Sequence, residues 1–114
     1  MTPQRIDDLR GHDFLPDDLS AIPALYSEDR SADSTDIHLR FFTNVGSAYW
    51  LVAQYDPDTE VAFGYAEVVP GGGEWGDFSL RELRELHVVK NGIPIIVERD
   101  LYFAPTRFGE IVLP

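Results

Sequence analysis

Residues 37–69 read IHLRFFTNVGSAYWLVAQYDPDTEVAFGYAEVV. Three runs of aromatic and β-branched residues are separated by two short polar breaks, and that rhythm decides the fold. In residues 37–43, Ile37, Leu39 and Phe41 alternate with His38, Arg40 and Phe42, the two-residue period of a half-buried strand. A turn at residues 44–47 leads into a second strand over residues 48–55. Asp56, Pro57, Asp58 and Thr59 then make a turn with proline at its second position, and residues 61–69 form a third strand. Links this short cannot carry a parallel crossover, so the strands make an antiparallel meander. The expected fold is a single α+β domain over residues 1–114: a small antiparallel sheet with one or two short helices packed on it. A more curled, barrel-like sheet is the alternative. Leu39, Phe41, Trp50, Val52, Phe63, Leu80, Leu83 and Leu101 are the expected core.

Working outward, residues 1–13 read as a loosely ordered lead-in. A short helix is expected from Pro16, with Asp17 and Asp18 at the positive end of its dipole and Pro23 ending it. Ile22, Leu25 and Tyr26 follow as apolar anchors, and residues 27–36 as a polar loop. On the other side of the sheet, Ser79, Leu80, Arg81 and Glu82 form a capping box, and Leu80, Leu83 and Leu86 share one face of a helix of about two turns. Asn91-Gly92 marks a turn, and residues 94–103 offer one or two extended segments.

Between sheet and helix, Gly71, Gly73 and Gly76 spell G-x-G-x-x-G, the pattern that cradles a dinucleotide pyrophosphate. That chemistry needs the glycines at the mouth of a helix in a parallel βαβ unit. Here Trp75, Asp77 and Phe78 intervene and the capping box puts the helix start at Ser79, so the loop reads as a turn and no cofactor is expected. Asp56, Asp58 and Glu60 imitate the start of a calcium loop, but Val61 stands where that loop requires glycine. His12, His38 and His87 lie too far apart to build a metal site, and Ser79 has no base nearby in sequence. Glu98, Arg99 and Asp100 are the most informative charged triplet. On a strand the two carboxylates share a face, which allows paired-carboxylate or divalent-cation chemistry, with Glu67 or Glu74 as further neighbours. Cross-strand ion pairing is the commoner use of such residues.

Twenty acids against nine bases give a net charge of −11, a surface that repels nucleic acid and anionic membranes and attracts basic protein surfaces. More than half of the excess falls in residues 1–36: Asp7, Asp8, Asp13, Asp17, Asp18, Glu28, Asp29, Asp33 and Asp36 against Arg5, Arg10 and Arg30. Without cysteine there is no disulfide or thiolate chemistry. The longest apolar run, at residues 92–97, falls far short of the ~20 residues that span a bilayer, and the opening residues are polar. A cytoplasmic location is expected.

The RFF of residues 40–42, YDPDTEVAFGY of residues 55–65, FSLREL of residues 78–83 and ERDLYFAP of residues 98–105 stand in an order that resembles a bacterial family catalogued as domain of unknown function 2958. The resemblance covers residues 22–105. It implies a gene carried by plasmids, integrative elements or phages, and brings no catalytic residues or cofactor with it. Two positions depart from the family pattern. Gln54 stands where members often carry glutamate, and Asp77 stands between Gly76 and Phe78 where members often carry tyrosine.

Charge and resemblance together lead to the expectation of a non-enzymatic acidic binding protein of a mobile element or phage. Its expected partner is a basic protein surface, reached as a DNA mimic would reach it, through the nine acids of residues 1–36 with Asp56, Asp58 and Glu60 as a second cluster at a hairpin tip. A contact through aromatic residues such as Tyr49, Trp75 and Tyr102 competes with it. A small enzyme or cation-binding domain built on Glu98 and Asp100 is the alternative class, and a homodimer through an exposed strand edge is compatible with either.

Overall fold

The computed structural model describes residues 9–27 and 33–111. Its centre is a five-stranded sheet in the order β5-β4-β3-β2-β8, formed by β2 (Leu39–Thr43), β3 (Tyr49–Asp56), β4 (Val61–Glu67), β5 (Glu74–Ser79) and β8 (Val97–Arg99). Two small ribbons accompany it: β1 (Asp36–Ile37) with β9 (Thr106–Arg107), and β6 (Val88–Lys90) with β7 (Ile93–Ile95). Every pairing is antiparallel; β2 to β4 run as the expected meander, and β5, in a stretch expected to be a turn, extends it by a fourth strand. One short helix whose two ends both lie among the described residues, α1 (Leu80–Glu85), and a 3-10 turn at Phe108–Glu110 add a minor helical part to a domain that is mostly β.

β3 lies in the middle and is buried along almost its whole length. Its side chains divide by the strand alternation. Trp50 and Val52 enter one core with Phe14, Phe41, Ala62, Leu80, Leu83 and Val97; Tyr49, Leu51 and Ala53 enter a second with Ile37 and Phe63. The sheet is therefore the middle of three layers. Phe14, Leu15, Leu19, Ile22 and α1 cover the first face, while Leu25, Phe103, Phe108 and Ile111 cover the second. The register between β3 and β4 shifts between Val52 and Gln54, leaving Ala53 as an extra residue. That bulge reverses the alternation and returns Tyr55 to the first core.

Six of the expected core residues are buried: Phe41, Trp50, Val52, Phe63, Leu80 and Leu83. Leu39 is half-buried against the first core. Leu101 is a correction, being 54% exposed, because β8 stops at Arg99 and the chain turns before reaching it. The alternation over residues 37–43 also fails at one point. Ile37 enters the second core while Phe41 enters the first, because the strand breaks at His38: β1 pairs with β9, β2 pairs with β3, and the His38 N–H donates to Val52 O at 2.8 Å.

The expected helix from Pro16 does not form. Asp18 Oδ1 takes the Ser20 N–H at 2.9 Å and its hydroxyl at 2.6 Å, and Ile22 N–H closes a turn on Leu19 O at 3.1 Å. Asp and Ser side chains there compete with the helical ladder, and the six residues between Pro16 and Pro23 are too few to offset the cost of nucleation. The lead-in is also corrected over its described part, residues 9–13. Arg10 is buried, donating from Nε to Val97 O at 2.7 Å and from Nη2 to Arg84 O at 3.1 Å. Its guanidinium lies 4.8 Å from the centre of Phe14, which stacks on Phe41 at 4.5 Å.

The glycine-rich loop is a turn followed by a strand. Gly71 takes φ +79°, Gly76 lies within β5, and the helix begins at Leu80, capped by Ser79 Oγ accepting the Glu82 N–H at 3.2 Å. Asn91 and Gly92 both have positive φ, the two-residue turn whose twist matches a β-ribbon.

Two glycines that pair across β4 and β5 respond differently to a side chain. A Cβ on Gly64 falls on the Leu51 carbonyl oxygen, whereas one on Gly76 meets nothing within 4 Å. Gly64→Ala is expected to lower stability by about 2–3 kcal/mol and Gly76→Ala to stay within about 1 kcal/mol of the parent, as read by urea denaturation.

Candidate functional site

Residues 98–103 form a turn built around Asp100. Its N–H continues the β2–β8 ladder to Arg40 O at 2.8 Å, its Oδ1 accepts the Tyr102 N–H at 3.0 Å, and its carbonyl accepts the Phe103 N–H at 3.3 Å. Arg40 Nη1 approaches Asp100 Oδ2 at 3.4 Å. Phe103 is drawn into the second core, which leaves Tyr102 at the tip, 98% exposed, beside Leu101. Glu98 lies beside an imidazole, with Oε1 3.9 Å from His12 Nε2. Each carboxylate of the expected pair is thus met by a different neighbour. Glu74 cannot join them: β5 and β8 are opposite edges of the sheet, four strand spacings or roughly 19 Å apart. Glu67, on β4, is one spacing nearer, but three spacings, roughly 14 Å, still separate β4 from β8. Among the described residues, no group of three or more His, Asp or Glu side chains could hold a metal ion.

Of the nine acids expected to meet a partner, Asp7, Asp8, Glu28 and Asp29 lie outside the described residues. The other five are exposed but fall in two groups. Asp13, Asp17 and Asp18 ride on the segment whose Phe14, Leu15 and Leu19 cover the first face. Asp33 and Asp36 belong to the opposite layer, where Asp33 O accepts the Gly109 N–H at 2.8 Å and Asp36 pairs with Arg107. Hydrogen bonds from the Ser20 hydroxyl and N–H hold the Asp18 carboxyl below its ordinary pKa.

The second acidic cluster does stand at the β3–β4 turn, but two of its members are engaged within the fold. Asp56 accepts the Asp58 N–H at 3.1 Å and the Thr59 hydroxyl at 2.8 Å. Glu60, at φ +59°, is bracketed by Arg84 Nη1 at 2.6 Å and Arg81 Nε at 2.8 Å, and its carbonyl accepts the first helical N–H, from Leu80, at 2.9 Å. Hydrogen bonds from Arg84 and then Arg81 lower the pKa of its carboxyl. Asp58 remains exposed.

The competing aromatic patch is not assembled. Tyr49 is buried in the second core, and Trp75 stacks within it, 4.7 Å from Phe108 and 5.7 Å from Phe63. Burial, followed by the nearby Glu67, raises the Tyr49 hydroxyl above the ordinary tyrosine pKa; burial, followed by Glu60, does the same for Tyr55.

One juxtaposition has no signal in the sequence pattern. Gln54, Phe63 and Asp77 stand side by side on β3, β4 and β5. Tyr26 crosses this row: its N–H donates to Gln54 Oε1 at 2.8 Å and its hydroxyl to Asp77 Oδ2 at 2.6 Å. Gln54 and Asp77 therefore converge on one tyrosine.

Sheet, covering segments and site define a small, acidic α+β domain with an antiparallel central sheet. A family model described as "Protein of unknown function (DUF2958)" matches residues 15–108, and the chain belongs to that family. No curated protein and no solved structure matches it. No described helix is long and apolar enough to cross a membrane.

The Glu60 bracket gives a pH signature. A carboxyl whose folded pKa is lowered stabilises the fold fully above its unfolded pKa, about 4.3, and loses that contribution as pH falls through the folded value. The stability difference between the parent and Glu60→Gln is expected to be constant above about pH 5.5 and to close as pH falls below about 4.3, in thermal melts taken across that range.

Proposed function

We propose that this chain is a non-enzymatic, acidic binding domain that acts in the cytoplasm on a partner with a basic surface. The observation that carries the proposal is the unequal placement of its charges. Arg10 is buried, Arg40 and Arg84 are half-buried in ion pairs, Arg99 is half-buried, and Arg81, though exposed, is paired with Glu60; the other exposed Lys and Arg side chains among the described residues are Lys90 and Arg107. Asp13, Asp17, Asp18, Asp33, Asp36, Asp58, Glu74, Glu82, Glu85 and Glu110 are all exposed. Most of the described arginines are buried or engaged by carboxylates of the fold while these acids face water, so an approaching molecule meets a negative field from both outer layers. Such a field steers a basic partner and repels nucleic acid.

A DNA mimic serving a phage or mobile element, occupying the nucleic-acid channel of a host protein, is the sharper form of this proposal. It draws support from the charge and calls for a partner that wraps around the domain, since the two acidic groups lie on opposite layers. The enzyme alternative has less support, because Asp100 is paired with Arg40 and Glu98 lies beside His12 instead of converging on one site.

Capture from a bacterial lysate at low and high salt, with mass spectrometry of what elutes, tests the proposal. Captured nucleic-acid-binding proteins are expected to fall by about tenfold or more between 50 and 300 mM salt. Replacing Asp13, Asp17 and Asp18 by Asn, or Asp33 and Asp36 by Asn, is expected to weaken capture in each case. Capture indifferent to both salt and neutralisation overturns it.

A further inference from the structure

We propose that the end of the sheet from which the β6–β7 ribbon emerges joins a second copy of this chain in a two-fold contact. This goes beyond the binding function proposed above and stands independently of it. The register places Thr43, Tyr49, Glu67, Glu74 and Val97 at one end of the five strands. Three segments cap that end: residues 44–48 between β2 and β3, residues 68–73 between β4 and β5, and residues 86–96 between α1 and β8, which include the ribbon. They carry Val45, Val68, Val69, Val88, Val89 and Ile93, six of the nine large hydrophobic side chains that stand exposed among the described residues.

The fold holds these side chains in place. Val69 O accepts the Gly72 N–H at 2.8 Å with Gly71 at φ +79°, a tight turn that keeps Val68 and Val69 at the surface. Asn44 ties the ribbon to the sheet. Its Nδ2 donates to Pro94 O at 3.0 Å and its Oδ1 accepts the Ile96 N–H at 2.9 Å, which sets Val45 beside the ribbon's base. The ribbon itself has only three cross-strand pairs, Val88 with Ile95, Val89 with Pro94 and Lys90 with Ile93. By the strand alternation Val88 and Ile93 lie on one of its faces and Val89 on the other, and all three are more than half exposed. A two-stranded ribbon is marginal in water, so this one gains stability from cover on either face.

Charge names the occupant. The three segments hold no Asp or Glu, in a chain that has twenty. A basic partner drawn to the acids finds none there, whereas two chains of −11 repel least when they meet through these segments. The charges that flank the end stand at opposite corners. Exposed Lys90 lies on the ribbon beside β8, and exposed Glu74 begins β5, at the other edge of the sheet. A two-fold axis across the end therefore sets Lys90 of each copy against Glu74 of the other, with the valines between them. Such a contact is self-complementary, and it leaves the acids of both outer layers facing water in each copy.

Sedimentation equilibrium of the full chain, at concentrations up to about 1 mM, tests the proposal. A monomer–dimer equilibrium is expected, tighter at about 300 mM salt than at about 50 mM, because salt screens the repulsion between the copies. Val68→Asp and Val89→Asp, at exposed positions of separate segments, are each expected to raise the dissociation constant at least about tenfold. Lys90→Glu is expected to weaken the dimer, and Lys90→Glu together with Glu74→Lys to recover part of the loss. Amide shifts that change on dilution are expected at residues 45, 68–72 and 88–95. A chain that stays monomeric at the highest concentration overturns the dimer. So does a dimer that ignores both valine substitutions, a charge swap that recovers nothing, or shifts confined to other residues. Capture of a different protein that is lost with Val89→Asp, while the chain itself stays monomeric, also overturns it, since the end then belongs to that protein. None of these outcomes bears on salt-dependent capture through Asp13, Asp17, Asp18, Asp33 and Asp36, which decides the binding function separately.

Discussion

β3 is buried on both faces, and the rest of the architecture answers that constraint. A strand carrying Trp50 and Val52 to one side and Tyr49 and Leu51 to the other cannot leave either face in water, because each such side chain gains about 1.5–3 kcal/mol by burial. Neighbouring strands protect only its edges. Its faces need two further layers, and α1, six residues long, covers only part of one. Irregular segments supply the remainder: residues 14–22 over one face and residues 103–111 over the other. Most residues outside the sheet are held there to cover it.

The same constraint separates what the sequence reveals from what it hides. The meander and α1 rest on local signals, namely alternation, turn residues and a capping serine, and each is where those signals place it. Events at single residues carry no such signal. The Ala53 bulge and the break at His38 each reverse the alternation, so Tyr55 and Ile37 face opposite to what a continuous period implies. Leu101 has the composition of a core residue, but Asp100 turns the chain before it arrives. The covering segments were the least legible, since Phe14 and Phe108 reach their places through contacts with strands distant in sequence.

The candidate site was legible as charge and illegible as shape. That acids would face solvent follows from their number. That Asp13 and Asp36 would be parted by the thickness of a sheet depends on which segment covers which face, and no local pattern encodes it. Arg10 is the sharpest case. It sits among polar residues in a stretch without periodicity, yet it is buried, because two backbone carbonyls and the face of Phe14 satisfy its guanidinium.

That arginine also orders events in time. Its acceptors lie on residues 84 and 97, so the first covering layer cannot lock until most of the chain has been made. The hairpins of β2 to β5 close over short loops and can form early, with Phe41 and Trp50 still open on that face. Any state in which the sheet forms before Arg10 meets Val97 leaves one side of it bare, and such a state is the one most exposed to aggregation.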